Sequence, residues 1–304
     1  MSTVTTSTLL KNESTLHASK PSFFGLVRGE IFKINRQWAT WIMLVFLVGI
    51  IALPYLLSLT VSSLKDTLNA DALGYLTTRT ANYLGLFRAF SGIILVIMTA
   101  TVIGREYSLG TIRIVLARGV GRMQLLLAKL TAVLVWAFFL LIIGLALNAL
   151  LTTLLVTIST GNLNAFNALT STYWHDNWIY VLTICFNMVV TILMAAALSV
   201  LGRSLAFGLS AALVFFPLDN ILVEILALAY RLTHNDFWLH VSAYMLGPNL
   251  NVMAGAVTKH DGWGFGTPPM DTVDGTHTLV VALVYALIFA LVAFVLIGTR
   301  DVKE

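Results

Sequence analysis

Six stretches of about twenty consecutive apolar residues dominate this 304-residue sequence, and they restrict the fold more than any motif does. Each is long enough to cross a hydrocarbon layer roughly 30 Å thick at a helical rise of about 1.5 Å per residue. The runs are Trp38–Leu59, Leu84–Ile103, Leu130–Ile158, Trp178–Leu201, Leu205–Glu224 and Leu279–Gly298. They are apolar around the whole helical circumference and lack the period-two alternation of a barrel strand. Backbone groups in lipid must pair within their own segment, so helices are required. The composition agrees: 58% of residues are hydrophobic and 11% charged, where a soluble domain carries about 25% charged residues. An all-α integral membrane protein with six transmembrane helices is the expected fold class. Pro217, Asp219 and Glu224 interrupt the outer part of the fifth run, which predicts an early end near residue 224 and a broken or re-entrant continuation.

Lys and Arg keep to the cytoplasmic side of short loops. With the N-terminus inside, Lys11, Lys20, Arg28, Lys33, Arg36, Arg105, Arg113, Arg118, Arg122, Lys129, Arg203, Arg300 and Lys303 are cytosolic; only Lys65, Arg79, Arg88, Arg231 and Lys259 are external. Both termini are therefore expected in the cytosol, and the net charge of +4 reflects topology rather than nucleic-acid binding. Residues 1–22, rich in Ser and Thr, read as a disordered cytosolic tail without the apolar core of a signal peptide. Residues 23–37 mix aromatic and aliphatic residues with Arg28, Glu30, Lys33 and Arg36, as suits a helix lying in the headgroup region. Residues 23–304 then form one transmembrane domain, with a connector at 104–129 and an external segment at 225–278 rich in Gly, Pro, aromatic and acidic residues.

The connector carries the functional signal. Gly110 permits a break after the second span, Thr111 is placed to cap a new helix, and Gly119 supplies a left-handed stop. Leu109, Ile112, Val115 and Leu116 recur at helical spacing and predict one apolar face on a rod of about 10 Å over Ile112–Arg118. Arg122 to Lys129 lead into the third span. A merely solvated linker needs no cap, stripe and stop in this order; the segment reads as a surface that receives a push from a partner.

At Glu106, Gly110, Thr111, Leu116, Val120, Arg122 and Lys129 the chain resembles the permease subunits of ABC-2 type ABC transporters. Glu30, Lys33 and Arg36 before the first span and Arg300-Asp301 after the last add weaker matches. Gly119 stands where that family tends to have a Pro, and Arg113 where an acidic or neutral residue is common. The resemblance implies a type V exporter-like architecture: two permease chains, identical or different, form the membrane pathway, and each first cytosolic loop docks as a coupling helix in a cleft of an ATPase subunit. ATP and Mg would then be bound by that partner, and Glu106, Gly110, Thr111, Ile112, Arg113, Leu116, Arg118 and Arg122 would form the ATPase-coupling surface. By resemblance the direction is export, from a plasma membrane of bacterial or archaeal type, of a hydrophobic or amphipathic cargo. Membrane lipids are the other partners. Independently, no GxxxxGK[ST] and no Gly-Lys dipeptide occurs, so any motor belongs to another chain.

Polar residues within the runs are candidates for the pathway, since polar groups in lipid usually face protein or water. Asn148, Asn187, Asp219 and Glu224 qualify; helix–helix bonding is the competing role for the two Asn, and a place at the outer interface for the two acids. Arg88 is expected to snorkel outward. Gly208 with Ala212, and Ala195 with Ser199, form small-residue faces suited to close helix packing or dimerisation. Cys185, the single Cys, excludes an intrachain disulfide and a thiolate cluster. No catalytic residue and no metal site is expected. None of the six His lies in a span to serve as base for a Ser nucleophile. His260, Asp261, Asp271, Asp274 and His277 match no ligand spacing. An ATP-independent carrier would show paired repeats and ionisable groups near the midplane, which are not evident. That carrier and an intramembrane enzyme are the alternatives to the permease reading.

Overall fold

The computed structural model describes residues 22–61, 63–260 and 263–299. The expected tail, apart from Ser22, and Asp261, Arg300, Asp301 and Lys303 lie outside these residues. Eleven α-helices and one 3-10 turn account for almost all of the described chain, and no strand occurs among those residues. In order they are α1 (Phe23–Asn35), α2 (Trp38–Ser58), α3 (Leu64–Ala70), α4 (Ala72–Ser108), α5 (Thr111–Ala117), α6 (Arg122–Thr160), the turn Asn164–Ala168, α7 (Ser171–Gly202), α8 (Leu205–Thr233), α9 (Phe237–Ala243), α10 (Leu246–Thr258) and α11 (Gly275–Thr299).

Six of them, α2, α4, α6, α7, α8 and α11, are long and apolar enough to cross a membrane. They match the six apolar runs, and the differences lie at the ends. The second helix begins twelve residues before its apolar run, at Ala72, and the third begins at Arg122, so both carry the chain well beyond the hydrocarbon layer. The early end expected for the fifth run is not observed. α8 continues through Pro217 to Thr233. Asn220, one turn beyond Phe216, donates its side-chain amide to the Phe216 carbonyl at 2.7 Å, which satisfies a group close to the Pro217 interruption.

Burial separates a centre from a rim. In its most apolar window α7 buries 67% of its residues, against 17% in α8 and 22% in α2. α7 packs on α4, α8, α10 and α11, and the main core gathers Phe87, Leu95, Leu126, Leu140, Tyr180 and Ile184 from α4, α6 and α7. The small-residue faces serve packing within the chain: Ala195, Ser199 and Ala212 are fully buried, and a Cβ on Gly208 would lie 2.8 Å from the Ser199 Cα. The outward faces of α2 and α8 stay apolar and exposed, with Val45, Phe46, Leu218 and Ile225 each more than half exposed. That pattern suits a helix surface facing lipid or another membrane-embedded chain.

The two ends of the bundle differ. One carries α1 and the connector helix α5. At the other, the segment expected to be external is mostly helical: α10 sinks between α7, α8 and α11 with nine of its thirteen residues buried.

Candidate functional site

The connector has the order of elements expected, with one change of role. Gly110, in the left-handed region at φ 66°, is the residue that precedes the first helical turn, and Thr111 is the first helical residue. Thr111 is therefore not the cap; its hydroxyl faces the Glu106 carbonyl at 3.5 Å. Gly119, at φ 83°, follows the last turn and permits the reversal into α6. The apolar stripe is split in two. Ile112 is buried with Val120 and Leu125 against Leu26, Tyr107, Val115 and Leu116, whereas Leu109 and Ile114 are 62% and 55% exposed. Leu109 thus leaves the inward face assigned to it and joins an outward one, bordered by the exposed Arg105, Arg113 and Arg118.

Behind this surface lies a cluster of four charges that sequence spacing does not bring together. Lys129 of α6 is 3% exposed and reaches the Glu30 carboxylate of α1 at 3.1 Å, the Glu106 carboxylate of α4 at 2.9 Å and the Val102 carbonyl at 2.9 Å. Lys33 closes the ring to Glu30 at 2.7 Å and to Glu106 at 3.0 Å. Two acids and two bases balance across the ring, the half-exposed Lys33 offsetting the second buried carboxylate, so α1, the end of α4 and the start of α6 are tied together without net charge. Burial pushes the Lys33 ammonium down, but hydrogen bonds and charge from Glu30 and Glu106 outweigh it and raise it above its ordinary value. Beside the ring, Lys33, Arg36, Arg105, Leu109 and Thr111 border a cleft of about 450 Å³ between α1, α4 and α5.

Further contacts carry the connector to the rest of the bundle. The Leu205 amide donates to the Ser108 hydroxyl at 2.9 Å, tying the start of α8 to the end of α4. Arg122 donates to the Gly298 carbonyl of α11 at 3.4 Å. Glu106, Ile112, Leu116 and Arg122 therefore face the protein, and Arg113 and Arg118 face outward. The quartet was missed as a unit because its members are up to 99 residues apart; the available signal was a Lys at the start of an apolar run, which in a membrane requires an acidic partner.

The pathway candidates scatter. Asn148 accepts from the Tyr55 hydroxyl at 2.7 Å and from Thr152 at 3.3 Å, joining α6 to α2. Asp219 accepts from the Gly247 amide at the first turn of α10, so a carboxylate from α8 caps a helix it is not part of. Glu224 is exposed on α8. Asn187 is buried and lines a cavity between α4, α7 and α8.

A family model described as ABC-2 family transporter protein matches residues 26–219, more than half of the chain. The chain belongs to that family. Its matched region takes in the charge quartet, the connector and all of α2, α4, α6 and α7. Among curated proteins the chain is 25% identical over 224 residues to the uncharacterized protein YhcI of Bacillus subtilis (strain 168); the match covers 72% of this chain and 66%, just under two thirds, of that relative. As an ABC-2 family transporter protein, this chain is a multi-pass membrane component of a transporter, and its six apolar helices are the membrane part.

Proposed function

We propose that this chain is the permease subunit of an ATP-driven exporter, that its connector end lies in the cytosol, and that α5 is the helix through which a separate ATPase subunit moves the bundle. The observation that carries this reading is the division of labour in α5. Its inner face is built into the protein through Ile112, Val115 and Leu116, while Ile114 on its outer face and Leu109 in the turn before it stand exposed, as do Arg105, Arg113 and Arg118. An exposed apolar pair rimmed by cations has the chemistry of a docking surface for a cleft with apolar floor and acidic edges. The quartet behind it would pass a displacement of the connector to α1, α4 and α6 as one piece, and the Ser108–Leu205 and Arg122–Gly298 contacts extend it to α8 and α11.

ATP and Mg belong to the ATPase subunit on this reading, and a second permease chain, meeting this one through exposed apolar helix faces, completes the pathway. The cargo is hydrophobic or amphipathic, and the membrane is the plasma membrane of a bacterium or archaeon. The test is co-purification with a co-expressed ABC ATPase subunit. Replacing Leu109 and Ile114 by Asp should abolish recovery of the ATPase and its cargo-stimulated hydrolysis while the permease remains folded; full recovery and full stimulation would refute the assignment.

A further inference from the structure

Arg88 sits in α4 four residues past the start of the apolar run that opens at Leu84, and it is partly buried. Its guanidinium turns toward the end that bears α10, as a snorkelling side chain would, and is tied down there by the protein. It donates to the Asn251 side chain at 2.9 Å and to the Phe265 carbonyl at 2.6 Å. Both acceptors are neutral. Among the described residues no carboxylate lies within ion-pair distance of Arg88, in contrast to Lys129, which has two. A cation at membrane depth without a counter-ion is costly, and such a residue marks a place where an anion belongs.

The space beside it has room for more than an ion. A cavity of about 340 Å³ opens between α4, α7 and α8, within the size range of small-molecule sites, roughly 300 to 1,000 Å³. Arg88, Asn220 and Asn251 supply polar groups toward the α10 end. Asn220 and Asn251 are themselves fixed by a mutual hydrogen bond of 2.8 Å, so the polar groups are held in place. Farther along, Ile93, Val96 and Leu213 supply an apolar wall, and Asn187 and Thr191 of α7, bonded to each other at 3.4 Å, line the opposite side; Val96 lies eight residues beyond Arg88, about 12 Å along the helix.

We infer that this cavity is a binding site for an anionic amphiphile, a single apolar chain lodged between α4, α7 and α8 with its carboxylate or phosphate head on the free face of the Arg88 guanidinium. The planar fork of Arg suits either head, since both offer paired oxygens. The site concerns binding by this chain, and stands whether or not the connector engages an ATPase.

The test uses the full chain in a non-ionic detergent, with fluorescent cis-parinaric acid and its methyl ester as probes. The acid should bind about tenfold or more tightly than the ester, the size of effect one charge-assisted hydrogen bond supplies. Arg88→Gln should remove that preference, and Arg88→Lys should retain part of it. Gly92 lines the same cavity, and a Cβ there would meet nothing within 4 Å. Gly92→Leu should therefore fill the cavity without disturbing the helix and weaken both probes, which keeps the test valid if Arg88→Gln fails to fold. Displacement of the probe by dodecanoate at lower concentration than dodecyl phosphate assigns a carboxylate head, and the reverse order a lipid phosphate. Equal binding of acid and ester, undiminished binding by Gly92→Leu, or displacement by neither amphiphile would overturn the inference.

Discussion

The two ends of the bundle are locked by opposite chemistry. At the connector end, four charges from α1, α4 and α6 meet in one ring around Lys129, and the helix they support presents an exposed face. At the other end α10 is held without an ion pair of its own: Asn251 bonds Asn220, the Thr267 carbonyl and the Arg88 guanidinium, Asp219 accepts from the Gly247 amide, and Trp263 stacks between Tyr180 at 5.5 Å and His260 at 4.4 Å. His260 in turn meets Asp176 at 2.7 Å, a contact that spans from the loop to α7. A ring of ion pairs keeps separate helices in fixed relation while leaving their outer surface free, as a lever requires. Stacked rings and amide bonds close a surface, as a plug requires.

Removal of one charge from the ring should give the largest effect. Lys129→Met leaves two carboxylates facing each other with Lys33 alone to balance them, and should cost about 3–5 kcal/mol, read by equilibrium unfolding in mixed micelles. Adding Glu106→Gln restores balance through the Glu30–Lys33 pair and should recover much of that loss; no recovery would mean that packing rather than charge holds this end. Trp263→Ala at the opposite end should cost about 3 kcal/mol through lost burial and stacking, with no change when the salt concentration is raised. A strong salt dependence there would break the contrast between the two locks. Gly208→Ala forces a Cβ against the Ser199 backbone and should cost about 1–3 kcal/mol, measured the same way, because the end of α7 and the start of α8 pack closely there, near the connector end. Ile114→Ser is the smallest: stability within about 0.5 kcal/mol of the parent, since its side chain touches solvent. Only recovery of the partner ATPase should fall, seen by co-purification.

The membrane helices were legible because each is apolar enough by itself to leave no alternative in lipid. The connector was legible for the same local reason, with Gly110 and Gly119 marking its turns. What could not be read depends on partners distant in sequence. α10, LGPNLNVMAGAVT, holds two Gly, a Pro and two Asn, a poor helix by propensity; it forms because α7, α8 and α11 bury it and Asp219 caps it from another helix. Pro248 falls in its first turn, where a missing N–H costs little. Thr111 was read as the cap from its residue type, yet Gly110 alone can take the left-handed backbone that starts this helix. Glu30, Lys33, Glu106 and Lys129 were each singled out, but only the fold shows that they share one site.

The proposed role of α5 is to meet a motor subunit. Site-specific photo-crosslinking from position 114, with the side chain replaced by benzoylphenylalanine in intact membranes, tests it most directly. A crosslink to the ATPase subunit is expected from position 114, and none from position 244 at the α10 end. Absence of any ATPase adduct at 114 throughout ATP turnover, or an adduct only at 244, would contradict it.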